Sequence, residues 1–132
     1  MKIKKPKGKD NKISTNNIEK IDYPVFCLKH LQWHSLKKAD SKLFRSFIER
    51  VQKLEELGWE NINKSDRHSF GTEQMPITSL KHKVPKFVTP DVKSLWVFRY
   101  TGNNLPFLAL RNGNILHVIF IEAKFGDVYD HD

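Results

Sequence analysis

The order of its apolar runs predicts an α+β domain, with an N-terminal helix, or two, packed on a small antiparallel sheet of three to five strands. Three observations carry this. Apolar residues recur at helical spacing between positions 43 and 57, β-rich runs fill positions 94–121, and turn dipeptides separate those runs.

Residues 1–20 come first and predict no element. They hold seven lysines against Asp10 and Glu19, a net of +5. The rest of the chain holds 16 basic and 13 acidic side chains, a net of +3, so the total of +8 sits mainly in this segment. Its only aliphatics are Ile3, Ile13 and Ile18, too little apolar surface to offset ordering entropy. A basic tail, disordered or loosely docked, is expected. It can hold an anionic polymer through counterion release, or it can serve as a solvated, charged terminus. Residues 21–132 then make a single compact domain.

The stretch YPVFCLKHLQW, from Tyr23 to Trp33, is dense in β-formers and aromatics and predicts a strand or an extended segment. Asp40 is placed to cap a helix that carries Leu43, Phe44, Phe47, Ile48, Val51, Leu54 and Leu57. Gly58 ends that helix. A short second helix or turn carries Trp59 and Ile62 and ends near Ser65. Pro76, Pro85 and Pro90 break the next stretch, leaving room for one short strand at 84–88. Strands follow at 94–100, 106–111 and 114–121, with turns at 102–104 and at Asn112-Gly113, a strong hairpin signal. Gly126 makes a last turn before a short strand at 128–129.

Composition removes some classes. No run of about 18 apolar residues is present, so no membrane-spanning helix is expected. The early lysines have no apolar segment behind them, so no secretory signal is expected. Cys27 is the lone cysteine, which excludes an internal disulfide and fits a reducing cytoplasm. Cys27, His30 and His34 lack the paired spacing of a zinc site, and no phosphate loop or nucleophile elbow is present. No metal and no cofactor is expected.

The polar residues set into the β-rich block are the candidates for chemistry. An arginine in an apolar strand must face solvent or meet a charge, and arginine grips phosphate bidentately. Arg99 and Arg111 are therefore candidate phosphate contacts, with a solvated face or a salt bridge as the alternative. His117 is either a satisfied rim residue or a site residue. A two-residue loop at Asn112-Gly113 sends it to the face opposite Arg111, and a bulged three-residue loop unites them. Asp127, Tyr129 and His131 alternate. In a strand they share a side, where Tyr129 and His131 can act as acid, base or stacking groups. The connector holds Arg67, His68 and Glu73, an acid/base set with a cation, which suits RNA cleavage through 2′-hydroxyl attack. Lys124 adds a further cation beside the last turn.

The helix at 41–57, Gly71-Thr72-Glu73, WVFRY at 96–100, FLALR at 107–111 and the closing Val128-Tyr129-Asp130-His131 together resemble the RelE/ParE toxin superfamily. The resemblance covers roughly residues 40–132 and is one of architecture and residue type. It implies a RelE-like toxin endoribonuclease that cleaves mRNA, on the ribosome in some members, and a small antitoxin protein as partner. It also implies roles. Glu73 and His131 look like the acid/base pair, Arg111 and Arg99 like the phosphate-contacting arginines, and Tyr129 like the residue that orients or stacks on RNA. Arg67, His68, Arg99 and Lys124 are then expected to contact the nucleic acid. The superfamily also includes gyrase poisons. The competing expectation is a non-catalytic nucleic-acid- or protein-binding module of phage or plasmid origin.

Overall fold

A computed structural model describes residues 20–67 and 69–131. The lysine-rich tail up to residue 19, the candidate His68 and the terminal Asp132 lie outside the described residues.

The chain runs β1 (Val25–Cys27), α1 (Ser41–Asn63), β2 (Glu73–Pro76), a 3-10 turn (Ile77–Ser79), β3 (Ser94–Arg99), β4 (Pro106–Asn112) and β5 (Ile115–Ile121). The five strands form one sheet in the order β1-β5-β4-β3-β2. The α+β class holds, and β2 to β5 are antiparallel neighbours. Two expectations are corrected. The helix is not N-terminal to the whole sheet, because β1 precedes it. The sheet is mixed, because β1 pairs with β5 in parallel. A three-residue strand carries no local sign of its partner. Its direction is set by the apolar edge of β5, which it covers.

The helix starts where its cap stands. Asp40 is extended and its Oδ1 accepts the Leu43 N–H at 2.9 Å. Inside α1, Gly58 leaves helical geometry at φ 77° and ψ 166°, so the element is two helices joined at a kink. The positive φ suits glycine, and the break frees the Trp59 N–H to reach the Asp22 carbonyl at 3.1 Å. The helix, the break and the short second helix thus follow the expected plan.

The sheet buries both faces. On one, Phe98, Tyr100, Phe107, Ala109, Leu116 and Val118 pack against Phe47, Leu54 and Ile62 of α1. On the other, Leu95, Val97, Leu108, Ile119 and Phe120 meet Val88, Val128 and Tyr129, with Ile77, Leu80, Val84 and Phe87 around them. The proline-rich segment is therefore the cover of the second face. The strand expected at 84–88 is absent. Val88 N–H turns back to the Pro85 carbonyl, and proline confines that stretch to turns. The strand that does form nearby, β2, ends in Pro76 and lies at the sheet edge, the place where a proline is tolerated. The final strand expected at 128–129 is a single bridge from Tyr129 to Leu80. No helix among the described residues is long and apolar enough to cross a membrane.

Candidate functional site

The register of β2 on β3 begins the site. Glu73 lies opposite Val97, which sets its side chain diagonal to Arg99 on the second face. Arg99 is only 8% exposed, and its Nη2 meets Glu73 Oε1 at 2.6 Å. Its Nη1 donates to the Asn104 carbonyl at 3.1 Å, while its Nε is buried without a partner. The other carboxylate oxygen of Glu73 meets Arg67 Nη1 at 3.2 Å. One carboxylate thus bridges two guanidiniums.

Arg67 reaches that point because the connector folds back on itself. Gly71 N–H bonds to the Asp66 carbonyl at 2.8 Å. A Cβ on Gly71 would sit 2.3 Å from the Ser65 carbonyl oxygen, so only glycine fits this close approach.

The C-terminal segment supplies the opposite wall. Tyr129 is buried, with its hydroxyl beside Arg99. Burial raises its pKa to about 12, although the nearby Arg99 pulls the other way. The His131 ring stacks on Tyr129 at 4.2 Å and meets Phe125 edge-on at 5.0 Å. His131 Nε2 lies 2.6 Å from Glu122 Oε1. Glu122 itself has no exposed surface, and its Oε2 accepts the backbone N–H groups of Val128 at 2.7 Å and Tyr129 at 3.2 Å. When Nε2 donates to this carboxylate, Nδ1 keeps a lone pair, the tautomer a base requires. Together these side chains line a cleft of about 460 Å³ that holds Arg67, Glu73, Arg99, Phe125, Tyr129 and His131.

Of the candidates, Arg67, Glu73, Arg99, Tyr129 and His131 therefore converge. Arg111 does not. It stands opposite Leu116 on the α1 side of the sheet, with its guanidinium 3.8 Å from the Trp59 ring centroid and 4.8 Å from that of Trp96. Its Nε donates to the Gly113 carbonyl at 2.8 Å. The pairing of Arg111 with Tyr129 and His131 is corrected accordingly. The expected turn at Asn112-Gly113 is corrected by one residue: Asn112 pairs with Ile115, so the two-residue loop is Gly113-Asn114, and strand alternation then decides each face. His117 goes to the face opposite Arg111. There it meets Phe87 and His30, and burial lowers its pKa, with His30 adding to the effect. Lys124 lines a neighbouring cavity and not the cleft. No group of three or more His, Cys, Asp or Glu among the described residues is arranged to hold a metal ion.

Glu122 is the residue that sequence reasoning passed over as a functional group. Its signal was there: a lone carboxylate closing the apolar run ILHVIFI must find partners when it is buried.

Comparison with protein-family models, curated proteins and solved structures returns no match for this chain, and nothing in it identifies a RelE/ParE relationship.

Proposed function

We propose that the cleft binds an RNA phosphodiester and cleaves it by acid/base catalysis without a metal, in the manner of a RelE-like toxin. The observation that supports this is the meeting of two guanidiniums, a buried tyrosine hydroxyl and a carboxylate-held histidine in one cleft. His131 Nδ1 takes the proton of the ribose 2′-hydroxyl. The 2′-oxygen then bonds to the adjacent phosphorus. Arg99 and Arg67 balance the charge that gathers on the phosphoryl oxygens, where preorganised cations act most strongly. The bond from phosphorus to the 5′-oxygen breaks, and Tyr129, protonated at neutral pH because its pKa is about 12, gives that oxygen a proton. The products are a 2′,3′-cyclic phosphate and a 5′-hydroxyl. Glu73 holds the two guanidiniums in place, and its engagement by both of them leaves it a positioning residue.

The substrate is mRNA, free or on the ribosome, and the partner is a small acidic antitoxin protein. Purified protein is expected to cut RNA in the presence of EDTA. His131→Ala is expected to slow cleavage by about 10²-fold or more, the usual worth of a positioned acid or base. RNA left intact by the unaltered chain, or full activity in the variant, rejects the proposal. Expression of the chain alone is expected to stop growth, and His131→Ala to relieve it.

A further inference from the structure

A second cavity of about 680 Å³ lies on the other side of the turn at 123–127. The two cavities share that turn as a wall. Phe125 lines the cleft, while Lys124, Gly126 and Asp127 line the second cavity. Lys37, Lys38, His34 and His82 line it from the facing segments.

Three lysines and two histidines face two carboxylates here, Asp40 and Asp127. None of Lys37, Lys38 and Lys124 makes an ion pair among the described residues. The carboxylates of the cavity are already engaged by backbone. Asp40 Oδ1 accepts the Leu43 N–H at 2.9 Å, and Asp127 Oδ2 accepts the Lys124 N–H at 3.1 Å. Lys81, beside the same turn, is tied to Asp130 and to the Gly126 carbonyl. The two imidazoles stack face to face, with centroids 4.3 Å apart and planes 14° from parallel. His82 Nε2 is held 2.9 Å from the Asp127 carbonyl oxygen. Burial, then His82, then Lys37 lower the pKa of His34. The wall is also braced. The Ser35 hydroxyl donates to the Ile121 carbonyl and accepts the Ala123 N–H, so the segment bearing His34 and Lys37 is fixed to the end of β5.

We propose that this cavity is a second phosphate subsite, which holds a backbone phosphate of the polynucleotide whose scissile phosphodiester occupies the cleft. The inference rests on the proposed function and adds to it a direction for the strand, across the turn at 123–127. Lys37, Lys38 and Lys124 neutralise the phosphate, and the stacked histidines donate to it when protonated.

The test uses the full chain and two probes, inorganic phosphate and a DNA pentanucleotide, which lacks the attacking 2′-hydroxyl and is not cut. The ring signals of His34 and His82 report the cavity by NMR, and that of His131 reports the cleft. The pentanucleotide is expected to shift all three together and to saturate. Both lysines being exposed, the double variant Lys37→Ala/Lys124→Ala is expected to fold and to keep the His131 response. It is expected to bind about tenfold more weakly. The slope of log affinity against log salt is expected to shrink by about 0.7 for each single-strand phosphate that the variant no longer neutralises. A shift of His131 with none at His34 or His82 overturns the subsite and leaves the proposed function standing. Shifts at His34 and His82 alone, with RNA uncut, overturn the proposed function and with it this subsite's place in the reaction. A response to inorganic phosphate and none to the pentanucleotide makes this a site for a free anion and overturns the assignment to a polynucleotide.

Discussion

Glu122 has no exposed surface and carries three hydrogen bonds, to His131, Val128 and Tyr129. A buried carboxylate with its partners in place orders whatever it touches, and here it touches the whole closing segment. Glu122→Gln keeps the shape but sets an amide where one oxygen accepts. It is expected to cost about 1–3 kcal/mol, read from the urea midpoint. Cleavage is expected to fall along with His131→Ala, since the ring loses the partner that fixes its tautomer. An unchanged rate in a folded Glu122→Gln protein rejects that role. Arg111 gives the converse case. It looks like a phosphate ligand in the sequence, yet its guanidinium covers Trp59 and Trp96 on the α1 side. Arg111→Ala is expected to leave cleavage unchanged and to lower stability by about 0.5–2 kcal/mol, because the indole faces lose their cation. Loss of activity without loss of stability contradicts the placement.

The connector between α1 and β2 is the element that assembles the site. It runs from the second short helix back to the sheet edge and delivers Arg67 and Glu73 to Arg99. Its closure depends on Gly71, where the Ser65 carbonyl leaves no room for a side chain. Gly71→Ala is expected to cost about 1–3 kcal/mol, the usual range for forced overpacking, and to separate Glu73 from Arg67. Thermal unfolding and the cleavage rate check both parts. Wild-type melting would show that the loop gives way freely. The helices, strands and turns around it were readable because their signals are local: the Asp40 cap, the 3–4 spacing, Gly58 and the Gly113 turn. β2 was not readable. Four residues ending in proline form a strand only because β3 offers an edge.

Across the whole molecule, the sheet has two lives. Its α1 face is a packed core, and its other face, roofed by the proline-rich segment and the C-terminus, holds the cleft, the second cavity and five histidines. Burial there lowers the pKa of His117 and of His34 below the unfolded value near 6.5. The unfolded chain then binds more protons than the folded one once pH drops under that value, so stability is full above it and is lost as pH falls. The urea midpoint is expected to decline from pH 7 to pH 5.5, and His117→Asn to flatten the decline. A midpoint that rises on acidification contradicts the neutral state of these rings.

By itself the sequence determined the capped helix with its break, the three long strands and the turns between them, and which residue types could do chemistry, because caps, periodicity and turn dipeptides act over a few residues. Tertiary structure alone decided which of those residues meet. A two-residue loop at Gly113-Asn114 sent Arg111 and His117 to opposite faces, and the β2–β3 register set Glu73 diagonal to Arg99. Burial of Glu122 then bound His131 to the same cleft. The physical reason is alternation: in a strand, a shift of one residue moves a side chain through the sheet, and only pairing across distant segments fixes that shift.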